Sequence, residues 1–288
     1  MDSVGSVMDK IICNFLFAIG VTLLSCACLS GCAGKPKAPS DLYSGTIITT
    51  GDMLDAMKFQ ATRLTNLKAG IRLKLKIRDQ NRPEIKGQLM WTRTHEGVLA
   101  RVIGHGPFGI TVFDCLVTEQ SLYLFIPSHK AVYVSSINYK IKNVKKISAL
   151  INEASWLLNP WSVVRAQDVQ MFQYMPRRGL EDDKNLFYIS FFQKGGSGWA
   201  KFDRQTLSPI SIENSEFQAL YDDHVSLEDH APYPGKIRMK FKKMHLEIKI
   251  DLKDIQIDSL TPGDKVFSPA LYLNQPLRPL MPLLDSLS

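Results

Sequence analysis

The chain has 288 residues, of which 45% are hydrophobic, with 35 basic against 28 acidic side chains and a net charge of +7. That length and apolar content exclude a disordered chain and leave room for one large all-β domain or two small ones. A basic balance suits a polyanionic partner, nucleic acid or anionic lipid headgroups, and export decides between the two.

The first residues point to export. Lys10 precedes an apolar run from Ile11 to Leu24 and a patch of small residues, Ser25 to Cys28. A basic start, a short apolar middle and a small-residue exit make a secretory signal, too short and wrongly flanked for a spanning helix. Met8 is an alternative start, since Met1 to Val7 adds nothing a signal needs. The segment ends in Leu29-Ser30-Gly31-Cys32, which resembles the lipobox of bacterial lipoproteins. Leu23-Leu24-Ser25-Cys26 is a poorer second box, with serine in place of glycine. The resemblance implies diacylglycerol on the Cys32 sulfur, cleavage before it and acylation of the new amine. The domain boundaries read from this are a signal at 1–31, a lipid-anchored tether at 32–48, a main domain at 49–262 and a Pro/Leu-rich tail at 263–288.

Residues 1–31 hold Lys10 against Asp2 and Asp9, so the remaining 257 residues carry 34 basic and 26 acidic side chains, net +8. Cys13, Cys26 and Cys28 leave with the signal and Cys32 carries lipid, so only Cys115 remains free. No disulfide can form within the mature chain, and the fold rests on its core. The tether, with Gly34, Pro36 and Pro39, holds the domain about 20–25 Å from the lipid as a flexible coil. In lipoproteins of double-membrane bacteria, aspartate after the cysteine signals retention in the inner membrane. Ala33 stands there instead, which implies the outer membrane.

Asp52 to Leu67 reads as a helix, with Met53, Ala56, Met57, Ala61, Leu64 and Leu67 on one face and Thr50 or Asp52 as N-cap. The period then changes. Ile71, Leu73, Leu75 and Ile77 alternate with Arg72, Lys74, Lys76 and Arg78 in a half-buried strand. Strands are predicted at Lys86–Thr92, Val98–Gly104, Gly109–Val117, Ser121–Ile126 and Ala131–Ser135, the spacing of antiparallel meanders. A second helix spans Lys145 to Leu158, with Ile147, Leu150, Ile151, Ala154, Leu157 and Leu158 as its apolar stripe, and Asn159-Pro160 ends it. Strands resume at Leu186–Gln193, Trp199–Asp203 and Ile210–Glu216. Lys236–Lys242 and Leu246–Leu252 alternate cleanly, the latter extended by Ile255 and Ile257. The tail from Pro262 is read as an extended strap or a loose end.

This order of elements resembles the LolA/LolB family of lipoprotein carriers. The resemblance implies a mainly β fold, a strongly curved antiparallel sheet or half-barrel whose concave face is covered by helices. Its closest local match is Gly106-Pro107-Phe108-Gly109 ahead of Ile110 to Leu116, which resembles the Pro-Leu-Gly loop of LolB. On that match Phe108 stands where the family has an exposed leucine that assists delivery into membranes. Asp203, Pro209 and the strand from Lys236 are similar to the second half of the fold. The chain departs from LolB in its length at 162–185 and after Pro262. The implied function is an outer-membrane-anchored lipoprotein that binds acyl chains and receives or transfers lipoproteins or lipids. Its implied partners are membrane lipid, acyl chains and a periplasmic LolA-like carrier or other envelope proteins, with the chain a monomer. The alternative is a lipoprotein that uses the same fold as a scaffold in an envelope complex.

An apolar sheet face cannot be left in water, so the two helices either seal a cavity for acyl chains or close a solid core. No catalytic motif is found, and a non-enzyme is expected: Gly195-Gly196-Ser197-Gly198 lacks the final glycine of a nucleophile elbow. Asp222-Asp223-His224 with Glu228-Asp229-His230 offers oxygen and imidazole ligands, but at no recognised spacing, and is read as a solvated loop. His105 is read as a turn residue and Cys115 as a small buried hydrophobe. No metal and no cofactor beyond the lipid on Cys32 is expected. The basic strands at Arg72–Arg78 and Lys236–Lys242 read as a solvated face, and their lack of interleaved aromatics weakens a nucleic-acid reading further.

Overall fold

A computed structural model describes residues 50–77, 79–139, 157–164, 172–174, 186–193, 196–228, 230–242, 246–280 and 282. The expected signal, lipobox and tether, and residues 145–156 of the second helix, lie outside the described residues.

The first element is a helix, α1, at Thr50–Arg63, with Asp52 in its first turn and Arg63 in its last, each complementing the helix dipole. Thr50 and Asp52 fall within it rather than ahead of it as caps. It stops short of the expected Leu67, which instead lies in the first strand, because Asn66 is already committed to that strand and paired with Thr92. The strands are β1 Asn66–Ile77, β2 Gln80–Asn81, β3 Ile85–Arg93, β4 Val98–His105, β5 Thr111–Val117, β6 Ser121–Ile126 and β7 Ala131–Ser136. They continue as β8 Phe172–Tyr174, β9 Leu186–Gln193, β10 Gly196–Asp203, β11 Pro209–Asn214, β12 Phe217–Asp222, β13 Lys236–Phe241, β14 Leu246–Ile257 and β15 Leu277–Pro279.

Among the described residues one path runs β15-β7-β6-β5-β4-β3-β1-β14-β13-β12-β11-β10-β9-β8, with β2 attached to β1. Every pairing is antiparallel except that of β15 with β7. The long strands β1 and β14 pair from Leu67↔Ile257 to Ile77↔Leu246 and join the two meanders. Laid flat, such a sheet would be roughly 60 Å wide. Its inner face is buried from Ile126 and Ala131 near one edge to Phe187 and Phe191 near the other. One core that wide is closed by curling the sheet over α1, the curved antiparallel architecture expected from the sequence.

Alternation sorts the faces. In β1, Ile71, Leu73 and Leu75 are buried while Lys68 and Lys74 are exposed, and in β13 Ile237 and Met239 point inward between Lys236, Arg238 and Lys240. The β3–β7 half differs, because its second face is also apolar. There Met90, Leu99, Leu116 and Val132 form a separate buried cluster with Leu260 and with Phe267 and Tyr272 of the tail. The tail is therefore a strap. It turns at Lys265–Phe267 and Pro269–Tyr272 and then runs as β15 along the open edge of β7. No helix among the described residues is long and apolar enough to cross a membrane.

Candidate functional site

The β4–β5 hairpin closes with Gly106 N donating to Ile110 O at 2.8 Å. Pro107 starts the turn, and Phe108 (φ 61°, ψ 19°) and Gly109 (φ 75°) follow, both in the left-handed region. Two such residues in succession reverse the chain tightly, so β5 begins at Thr111 rather than at the expected Gly109. The Phe108 ring is 99% exposed and Ile110 is 65% exposed. The inward position near the tip is filled by another ring: Phe113 pairs with Gly104, where an added Cβ would lie 2.2 Å from the Phe113 Cε1. Phe113 is buried on that glycine, so the core has no place for Phe108. His105 contributes to the turn through a 3.3 Å contact of its Nδ1 with Thr111 Oγ1.

Beneath α1 lies the segment 157–164, buried along its whole length. Leu157 and Leu158, the last two residues of the expected lid stripe, are buried here; Ile147, Leu150, Ile151 and Ala154 lie outside the described residues. Asn159, read from sequence only as a helix stop, has a structural part. Its Nδ2 donates to Ala61 O (3.1 Å) and Leu64 O (3.2 Å), satisfying carbonyls at the end of α1. Trp161 Nε1 donates to Leu207 O at 2.8 Å, and the Tyr233 hydroxyl donates to Leu158 O. The Gln60 side chain accepts from Ala231 N at 3.1 Å. This segment thus ties α1 to the β10–β11 turn and to the loop before β13.

On the other face, the strap covers an ion pair that the sequence did not reveal. Arg101 donates to Asp114 through Nε (3.0 Å) and Nη2 (2.7 Å), with both side chains mostly buried. Arg101 Nη1 reaches Val266 O at 3.4 Å, and Tyr272 stacks on Tyr123 at 6.0 Å between ring centres. The bond to Asp114 raises the Arg101 pKa, while burial and the Asp114 charge raise that of the Tyr272 hydroxyl. The only sequence signal was that a strand carries one arginine between apolar residues. Cys115 is buried as expected, and burial pushes its thiol pKa up.

The acidic loop after β12 is engaged within the protein. Asp222 accepts from Arg238, Asp223 pairs with Lys236, and His224 Nε2 donates to Pro209 O at 2.6 Å. Among the described residues no group of three or more His, Cys, Asp or Glu side chains is placed to hold a metal ion. The basic strands carry exposed ion pairs, such as Lys74–Glu84 (3.2 Å) and Arg238–Asp222 (2.5 Å), in keeping with a solvated outer face.

No family model matches this chain, and no curated protein matches its sequence. Solved structures do match. An outer membrane lipoprotein-sorting protein domain from Vibrio parahaemolyticus aligns over 74% of this chain and 95% of its own, at 11% identity and a TM-score of 0.51. A LolA superfamily protein from Nitrosomonas europaea aligns over 78% of this chain and 99% of its own, at 13% identity and a TM-score of 0.51. A DUF1329 family protein from Desulfovibrio piger aligns over 76% and 96%, at 10% identity and a TM-score of 0.52. The likeness is one of fold: the chain has the LolA/LolB-like architecture that its order of elements resembles.

Proposed function

We propose that the chain is an exported lipoprotein, held in the outer membrane by lipid on Cys32 with its domain facing the periplasm. It binds acyl chains on the face that α1 covers and receives or hands over lipoproteins or lipids, with a LolA-like carrier as its periplasmic partner. The observation that carries this reading is Phe108, an aromatic ring held 99% exposed at the tip of a tight hairpin. Exposed apolar surface in that setting marks contact with a membrane or partner. Its support is the shared fold, since one neighbour is described as a lipoprotein-sorting domain. The test is transfer of a fluorescent acyl-chain probe or a lipoprotein from the full-length protein to acceptor vesicles. Phe108→Asn, which tolerates the same backbone, should keep lipid binding and lose transfer; unchanged transfer refutes the role of the tip.

One observation favours the second reading, a scaffold in an envelope complex. The segment 157–164 is buried along its whole length, as in a solid core. Native mass spectrometry separates the two. Co-purified fatty acid or lipid supports the carrier, and a protein that never takes up an acyl chain supports the scaffold.

A further inference from the structure

The β4–β5 hairpin overhangs its neighbours. Ile103, Asp114, Phe125 and Val132 lie on one line across β4 to β7, continued by Leu277 in β15. The β6–β7 hairpin turns one pair further on, at Ile126↔Ala131, whereas β4–β5 continues past His105↔Thr111 to Phe108. Counting from the shared line, five residues reach the β4–β5 tip and three reach the middle of the 127–130 turn, so the tip projects roughly 6–7 Å beyond the adjoining turn. That is close to the depth at which interfacial side chains enter the headgroup and acyl boundary.

The flanks of the tip are basic. Lys86 pairs with His105 just below it on β3, and Lys130 closes the β6–β7 turn on the other side. Both lysines are exposed, and neither forms an ion pair among the described residues. Glu84, the nearest carboxylate in sequence to Lys86, is held by Arg72 and Lys74 at 3.3 and 3.2 Å. Beyond Lys130 lies the strap turn, where Gln275 N donates to Tyr272 O and Val132 N donates to Pro276 O. Leu273 in that turn is 78% exposed, and Leu277 after it is 64% exposed. Along one end of the sheet the order is thus basic, apolar, basic, apolar. The turns at the opposite end carry acidic side chains instead: Glu96 between β3 and β4, Glu119 between β5 and β6, and Asp258 after β14.

We propose that this end of the sheet docks on an anionic lipid surface through two apolar points, the hairpin tip (Phe108, Ile110) and the strap turn (Leu273, Leu277), with Lys86 and Lys130 meeting headgroup phosphates. The proposal rests on the membrane reading of Phe108 and adds a second contact and a lipid preference. Two contacts on different strands fix the orientation of the domain, which a single ring cannot do. The acidic far end is repelled by the same surface, which enforces that orientation.

The test uses the processed full-length protein in vesicles of phosphatidylcholine alone or of equal parts phosphatidylcholine and phosphatidylglycerol. An environment-sensitive fluorophore is placed by Phe108→Cys, Leu273→Cys or, as a control at the acidic end, Glu96→Cys. Cys115 is buried and does not compete for label. The Phe108 and Leu273 labels should enter the bilayer in the anionic mixture, and the Glu96 label should stay aqueous. Lys86→Gln and Lys130→Gln should each shift the inserted fraction about five-fold toward the aqueous form, and added salt should do the same. If the Phe108 label inserts while the Leu273 label stays aqueous, or if insertion ignores lipid charge and both lysines, the inference is overturned while docking by the tip stands. If the Phe108 label stays aqueous in both mixtures, the membrane reading itself fails.

Discussion

Phe108→Gly separates the cost of the hairpin tip from its use. A phenylalanine at φ 61° holds a conformation that glycine adopts freely. For an L-residue it costs about 1–2 kcal/mol. The ring is 99% exposed, so removing it forfeits essentially no burial. Glycine adds unfolded-state entropy worth roughly 0.5–1 kcal/mol, which offsets part of the relief. The variant should therefore be as stable as the parent, or up to about 1 kcal/mol more stable. The proposed docking should behave oppositely, because burying a phenyl ring contributes roughly 1.5–3 kcal/mol, about 10- to 150-fold in a transient equilibrium. Denaturant unfolding and vesicle transfer on the same preparation read both numbers. A stability loss of about 3 kcal/mol or more places the ring in the core. Unchanged transfer at full stability means that the strained ring has no membrane role. Either result refutes the reasoning.

Other changes probe the rest of the molecule. Asp114→Ala leaves the Arg101 guanidinium buried without its carboxylate beneath the strap, and should cost about 3–5 kcal/mol and expose residues 264–276 to limited proteolysis. An apolar pair at positions 101 and 114 should restore most of that stability. Asn159→Ala removes two hydrogen bonds to the end of α1 and should cost about 2 kcal/mol in urea unfolding, with no loss expected if those carbonyls can reach water. His224 has its pKa lowered from about 6.5, chiefly by burial, against the opposing bond to Pro209 and the charges of Asp222, Asp203 and Asp223. The unfolded chain then binds the proton more readily, so stability is full above pH 6.5 and falls as the pH drops through the lowered value. His224→Gln should flatten the acidic limb of a melting-temperature profile, and an unaltered limb would assign it to other groups. Cys32→Ser should yield unprocessed or mislocalised protein, whereas normal size and membrane fractionation would point to Cys26 as the lipid site or to no cysteine at all.

What the sequence made legible were features with a period. β6 and β9 fall at their expected bounds, and β1, β13 and β14 were marked by strict alternation of aliphatic and charged residues. The α1 stripe was legible too, although Leu64 and Leu67 carried its apolar spacing into the strand beyond, where spacing alone cannot tell the two apart. β12 went unseen because Phe217-Gln218-Ala219-Leu220-Tyr221 runs straight into the acidic loop and has no turn signal ahead of it other than Asn214. Its Oδ1 accepts from Glu216 N and Phe217 N and makes that turn. β15 has three residues, one of them a proline, and is a strand only because the β7 edge receives it. The outward setting of Phe108 was legible from its two flanking glycines. The strap and Asn159 were not, because their partners lie far along the chain, 95 and 98 residues away for Asn159. Arg101 and Asp114 are only 13 residues apart, but what buries the pair is the distant strap.

The two halves of the sheet face water differently, and the proposed docking end belongs to the half that the strap covers. Around β12–β14 the outer face is a lattice of ion pairs, Lys242–Glu213 and Arg238–Asp222 among them, which needs no cover. Around β3–β7 the outer face is apolar and the strap closes it, so those strands have buried side chains on both sides. A strand packed on both faces has few ways to relax, and such surroundings can hold a residue in a strained conformation. The Phe108 turn sits at the end of two such strands. The strap thus has two consequences from one set of contacts: it rigidifies the base of the hairpin, and it delivers Leu273 to the same end of the sheet. Loosening it at Asp114 should then weaken membrane insertion of the tip even though Asp114 is itself buried beneath the strap. Insertion that survives release of the strap would show that the hairpin holds its shape alone.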